Sequence, residues 1–544
     1  MSASSKKKLR NEQEAAKLTE RQLAEQKEAK KLKLYTAAFA VVLVLLLITA
    51  ITVGITQTIS NSGIRENKTV AMTIGGHEIS NAELNYYYMS TVNNFYSQNG
   101  SYAAMFGLDV TKPLNEQVMD ESTGETWADY FLESAKNTAV SVYALKDAAI
   151  AAGHTLNEEL TAAADTTIEN MELYATVYGY SDADGYLKAM YGKGATMETY
   201  RSYIEDTLLA DDYYAAYADT LVYEDAAIRA AEKENFHAYS AFTYNYYHLP
   251  VTKFLEGGTT AEDGTVTYSD EEKAAAAAAC EETAKALTGE EITSVELLDA
   301  AIAALPFNAE ASTASTFYED NAYGYISAPV AEWLSDSSRK EGDLTYLVNS
   351  TTAEDGTETV NGYYIVYFHS VNDNAFALKN VRHILVNFEG GTTDEATGAV
   401  TYSDEEKAAA KAEAEEILAA FKAGEATEAA FAALAAEKTD DTGSAATGGL
   451  YEDVYPGQMV ANFEDWCYDA HKTGDTGIVE SEYGYHVMYF VGDSDLTYRD
   501  YQITNELRSA DLNDWYAALV ADIATTEGDI KYIKKDLVLS AGAG

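Results

Sequence analysis

Hydrophobic and polar positions along the chain fall into four regimes. Leu34–Thr56 is an unbroken apolar run of 23 residues without a charge. As a helix it is long enough for the roughly 30 Å of a bilayer interior. From Ser80 to about residue 240 the spacing is helical, rich in Ala, Glu, Leu and Tyr, with Pro113 as the one breaker. Before it, "VAMTIGGHEIS" (70–80) predicts two short strands around a Gly-Gly turn, and Ser80 with Glu83 has the spacing of a capping box. Between about 241 and 494, strand-like runs alternate with Ala/Glu helices. From Leu496 an amphipathic helix returns and ends in "DIKYIKKDLVLS", read as a short strand.

The third regime contains an internal repeat. "GGTTAEDGTVTYSDEEKAAA" begins at Gly257 and "GGTTDEATGAVTYSDEEKAAA" at Gly390. Each follows a strand-like run with a histidine, "YNYYHLPV" (His248) and "NVRHILV" (His383). Each leads into a helix opened by a capping box, Ser269/Glu272 and Ser403/Glu406. Each closes on a Tyr/Val strand, "NGYYIVYFHSV" and "EYGYHVMYFVG". The offset stays between 133 and 135 over most of that length, which defines two modules, 241–372 and 376–494. His383 and His486 stand out because both interrupt runs that otherwise read as buried strand.

Charge narrows the partners. The chain carries 37 basic and 88 acidic side chains. Residues 1–33 hold ten Lys/Arg and five Glu, so the remainder carries 27 − 83 = −56. Such a surface excludes nucleic acid, which needs a basic footprint. It suits unfolded or basic polypeptide, or cations, or serves solubility alone. The basic segment 1–33 ahead of the apolar run predicts a cytoplasmic N-terminus, a single transmembrane helix at 34–56 and an extracellular bulk at the cell membrane. A cleaved signal peptide is the rival, with an apolar core that is normally shorter. Residues 57–67 read as a stalk. Cys280 and Cys467 lack metal or redox spacing and are not expected to pair.

The second module resembles the parvulin-type peptidyl-prolyl isomerases through "VRHILV", "GGL…PGQMVANFEDW" and "YGYHVMYFV", in that order. The layout also resembles PrsA-type membrane-anchored foldases and SurA-like chaperones. That resemblance implies an α+β fold: a helical chaperone domain at 68–240, completed by a C-terminal helix at 495–544, with two inserted modules. Each module would be a four-stranded antiparallel sheet wrapped by helices, its first and last strands central. His383 and His486 would then be neighbours. The family's catalytic positions carry over to His383, Asp441 (with Asp440 as a one-residue rival) and His486. Its proline pocket carries over to Leu450, Met459 and Phe463. The usual "GGDLG-F" is here "GGLYEDV", so Tyr451 competes with Leu450. No metal or cofactor is implied.

The first module departs from this pattern. Ile326, Val330 and Tyr364 stand for Met459, Phe463 and His486, while His248 reads as retained. It is expected to be inactive or weak. The leading function is isomerisation of X-Pro bonds in secreted or unfolded polypeptides, with chaperone activity. A non-catalytic holdase is the alternative, and an acidic surface adhesin a third class.

Overall fold

The computed structural model describes residues 4–11, 49, 61–260, 264–308, 313–353, 355–394 and 397–539. Apart from Thr49, the segment expected to cross a membrane lies outside them. Among the described residues no helix is long and apolar enough to do so. The chain divides into two compact units, 1–221 with 511–544, and 222–510.

The first unit is helical with one small sheet. β1 (Val70–Ile74) and β2 (His77–Ser80) form the expected hairpin. Its turn is Gly75-Gly76, both at positive φ, where a side chain would be strained. The third strand is Thr525–Glu527, paired with β1. The C-terminal strand was expected within 529–540, but that segment forms turns and its strand lies just upstream. Ser80 caps α1 (Asn81–Asn99) by accepting the Glu83 N–H at 3.1 Å. The Glu83 carboxylate accepts from the Tyr143 hydroxyl at 2.6 Å. α2 (Trp127–Ala151), α3 (Glu158–Val177), α4 (Ala183–Tyr191) and α5 (Met197–Thr220) follow. Leu84, Tyr88 and Phe131 are sealed in the core. Trp515 stacks on Tyr217 with centroids 3.7 Å apart, so the C-terminal segment completes this unit.

Three expected boundaries move. Residues 61–67 are not a stalk: Ile64–Lys68 is helical, and the Asn67 side chain donates to Gly194 O at 2.9 Å. Residues 222–240 group with the modules rather than the helical domain, as does the C-terminal helix up to Ala510. The reason is a clasp that joins entry, linker and exit of the two modules. Arg499, almost fully buried, donates to Glu232 Oε1 and to Ser240 Oγ, each at 3.1 Å, and its backbone N–H donates to Asn374 O at 2.8 Å. Asn374 in turn donates to Tyr239 O at 2.9 Å.

Both modules have one topology. In the first, β3 (Ala241–Pro250), β4 (Thr316–Ala322), β5 (Leu344–Thr352) and β6 (Glu358–Asn372) are ordered β4-β3-β6-β5. In the second, β7 (Ala377–Asn387), β8 (Leu450–Val454), β9 (Thr476–Glu480) and β10 (Gly484–Thr497) are ordered β8-β7-β10-β9. All neighbours are antiparallel, and the first and last strands are central. The helices include α6 (Asp270–Leu287) and α7 (Val295–Ala303) in the first module and α8 (Asp404–Ala423) in the second; α6 and α8 both open with full capping boxes, as the repeat predicts. Cys280 and Cys467 are free and buried in the cores of different modules.

Candidate functional site

Alternation along β7 and β10 sorts the second module into two faces. Ile384, Val386, Tyr485, Val487 and Tyr489 pack on one side with α8 and α9 (Glu428–Lys438). Val381, His383, His486, Met488 and Phe490 face the other, beneath α10 (Ala461–Tyr468). His383 is cross-strand from Met488 and His486 from Leu385, so the two histidines are diagonal neighbours on one face. Their Nδ1 atoms are 3.1 Å apart and their rings stack at 5.2 Å. Both are almost fully buried.

A carboxylate ends the chain of contacts. His383 Nε2 lies 2.9 Å from Asp441 Oδ2 and 3.2 Å from Ser444 Oγ. Asp441 Oδ2 also accepts from the hydroxyls of Ser444 and Tyr451, the latter at 3.1 Å, and Oδ1 accepts the Gly443 N–H at 3.0 Å. The loop is fixed along β7 by Thr439, whose hydroxyl accepts the N–H groups of Leu385 and Asp441. Asp440, the rival for the catalytic position, instead accepts the Asn387 N–H at 2.8 Å and stitches the loop to the strand. The glycines that follow are needed: Gly449 (φ 73) passes so close to β7 that a Cβ would stand 2.1 Å from His383 O.

Burial lowers the pKa of both imidazoles, most for His486, which falls to about 4 with His383 beside it adding to the effect. Asp441 acts against this at His383. Burial alone would raise the Asp441 carboxyl, but hydrogen bonds from Ser444, His383, Gly443 and Tyr451 outweigh it and hold it at about 2. At neutral pH the site is therefore two neutral rings and one carboxylate. Only one proton arrangement satisfies every contact. His383 Nε2–H donates to Asp441, leaving Nδ1 bare. His486 Nδ1–H donates to that nitrogen. His486 Nε2 then accepts from the Ser481 hydroxyl, 2.8 Å away.

Above this rail stands an apolar wall. Phe463, on α10, meets His383 and His486 edge-on at 5.4 and 5.3 Å. Met459 and Tyr451 are half-buried against the same cluster. Leu450 does not join them. It pairs with Arg382, on the face opposite His383, whereas Tyr451 pairs with Val381 on the histidine face. The pocket assignment therefore moves from Leu450 to Tyr451, because side chains alternate along a strand. Ser444 and Ser481 were not foreseen. Both sit in loops without periodicity, and only the Asp441-x-x-Ser444 spacing hints at the first.

Among the described residues, the first module shows no equivalent rail. Register pairs Tyr246 with Val366 where His383 pairs with Met488, so Tyr246, not His248, occupies the first histidine position. Tyr246 and Tyr364 lie 5.4 Å apart, replacing the imidazole pair. His248 sits two residues further on, exposed, with Asn349 at 3.1 Å. Four more residues separate β3 from Gly257 than separate β7 from Gly390, so the string around His248 resembles that around His383 while lying out of register with it.

Residues 363–492 match the model of the PPIC-type PPIase domain family. Foldase protein PrsA 1 of Listeria innocua is 38% identical over 112 residues, covering 20% of this chain and 29% of that protein. Foldase protein PrsA 3 of Bacillus cereus is 33% identical over 115 residues, covering 20% of this chain and 40% of that protein. Among solved structures, a PrsA peptidylprolyl isomerase of Bacillus cereus is 28% identical over 28% of this chain and 50% of its own, with a TM-score of 0.17. The chain thus matches well under two thirds of the length of these curated relatives. Its second module is similar to the PPIC-type PPIase domains, including those of these PrsA foldases.

Proposed function

We propose that the protein is a foldase that isomerises X-Pro bonds in unfolded polypeptides through its second module. The observation that carries this is the Tyr451–Met459–Phe463 wall standing on the His486–His383–Asp441 rail. Rotation about X-Pro faces a barrier of roughly 18–20 kcal/mol because the amide is conjugated. Conjugation makes the planar imide polar, with negative charge on its carbonyl oxygen. Twisting removes that polarity and leaves a lone pair on nitrogen. An apolar slot that strips water from the proline ring therefore favours the twisted state over the planar one. The Asp441 carboxylate, partly exposed beside the wall, disfavours charge on a nearby carbonyl oxygen and opposes conjugation in the same direction. The histidines transfer no proton in this scheme. They hold Asp441 and Phe463 in place.

The reading extends to unfolded polypeptides as clients, since the relatives are named foldases, and to a helical domain with chaperone activity. It includes a membrane anchor at 34–56 with the bulk of the chain outside the cell, supported by the uncharged run behind a basic segment. A refolding assay limited by prolyl isomerisation tests it. Wild type is expected to accelerate the slow phase, with His486→Ala and Met459→Ala each reducing the effect. Aggregation suppression without acceleration would favour the holdase.

A further inference from the structure

Away from the parvulin site, α3 ends in a cluster of exposed aromatic rings. The Gly179 N–H donates to Thr176 O and the Tyr180 N–H reaches back to Ala175 O at 2.8 Å, with Gly179 at φ 76. This left-handed stop turns the chain sharply into α4. Tyr174 and Tyr178 from the end of α3, with Tyr180 from the turn, then close around Tyr186 of α4. Their centroids lie 6.1, 5.9 and 5.5 Å from that hub, and Tyr178 stacks on it nearly parallel. Tyr178 remains 57% exposed and Tyr180 40%. Leu173 and Val177, one turn apart on α3, extend the patch at 57% and 66% exposure. A contiguous apolar surface of this kind marks an interaction site more often than isolated exposed residues do.

Its surroundings select the partner. From Thr155 to Leu187 the sequence has seven carboxylates and no Lys or Arg. Glu169 and Glu172 on α3 and Asp182 at the start of α4 are exposed beside the rings. Lys188 on α4 pairs with Asp184, and Arg201 on α5 with Asp165 and Glu205. Among the described residues the cation–π contacts fall on other rings. Tyrosine faces attract cations, and the carboxylates add a field of the same sense.

We propose that this tyrosine fan is a docking site for lysine- and arginine-bearing segments of unfolded polypeptide. The inference rests on the reading of the chain as a protein that handles unfolded polypeptides, and it names the client class: basic segments, with aliphatic residues lying over Leu173 and Val177. An acidic segment is repelled at the same place.

The test uses the full chain and a fluorescein-labelled, unstructured, proline-free peptide of interspersed lysine and leucine, with a counterpart carrying glutamate for lysine. Omitting proline keeps the result independent of isomerase activity. The lysine peptide is expected to bind roughly ten-fold more tightly than the glutamate peptide. Tyr178→Ser with Tyr180→Ser should remove most of that preference, and Glu169→Gln with Glu172→Gln should weaken its salt dependence. Activity on a short prolyl peptide should be unchanged in both. Equal binding of the two peptides by wild type, or wild-type affinity in both double variants, would overturn the proposal.

Discussion

His383 and His486 share one proton between facing nitrogens, Nδ1 to Nδ1 at 3.1 Å, although 103 positions separate them along the chain. A second proton there would set two N–H groups against each other inside a buried site. With that proton in place, a further one adds at His486 Nε2, where it sets an N–H against the donating Ser481 hydroxyl and leaves a charge in a buried site.

Stability should therefore fall on acidification. His486 has a folded pKa near 4 against an ordinary 6.5, so the unfolded chain takes up its proton first. The stabilising contribution is complete above about pH 6.5 and is lost as pH falls towards 4. Between pH 7 and 5 the loss from His486 is about 2 kcal/mol. Urea unfolding followed by a probe in the second module should show this slope, and His486→Asn should flatten it.

Tyr451 supplies both a ring to the wall and a hydroxyl to Asp441. Tyr451→Phe keeps the ring and removes a donor to a charged group. A several-fold fall in kcat with KM nearly unchanged is expected. Tyr451→Leu also shortens the wall and should raise KM. Leu450→Ala, on the opposite face, should leave both constants near wild type.

Asp440 and Asp441 are adjacent but serve different ends. Asp441→Ala should abolish most activity. Asp440→Ala removes the acceptor for the Asn387 N–H and should cost about 1 kcal/mol of stability while activity is largely retained. Equal loss of activity in both would mean that the loop, rather than the carboxylate, matters.

His248 belongs to the exposed end of the Tyr364 pair and not to a catalytic rail. His248→Ala should leave isomerase activity unchanged. Arg499→Ala, by contrast, opens the clasp by removing its bonds to Glu232 and Ser240, leaves Glu232 to Arg229 alone, and should destabilise the unit that holds the modules by about 2 kcal/mol in chemical unfolding.

The sequence exposes some of these features and conceals others for physical reasons. The strands carrying His383 and His486 are legible because alternation and flanking glycines mark them. The capping boxes at Ser269 and Ser403 are legible because they are local. The choice between Leu450 and Tyr451 is not local: it depends on which residue of β8 lies opposite Val381. The same holds for Tyr246 against His248, where four extra residues before the Gly-Gly turn keep the string similar but shift the register. Ser444 and Ser481 reach the site through loops whose path no periodicity encodes. Arg499 reads as one more charge on an amphipathic helix, and only the fold shows it buried at the crossing of three chain segments.

The most direct test of the account is exchange NMR on a short X-Pro peptide, with the full chain at substoichiometric concentration. The account predicts cis–trans exchange cross-peaks with wild type, at mixing times too short for the uncatalysed reaction, and their loss with Met459→Ala. Wild-type protein that leaves the exchange rate at its uncatalysed value would contradict it.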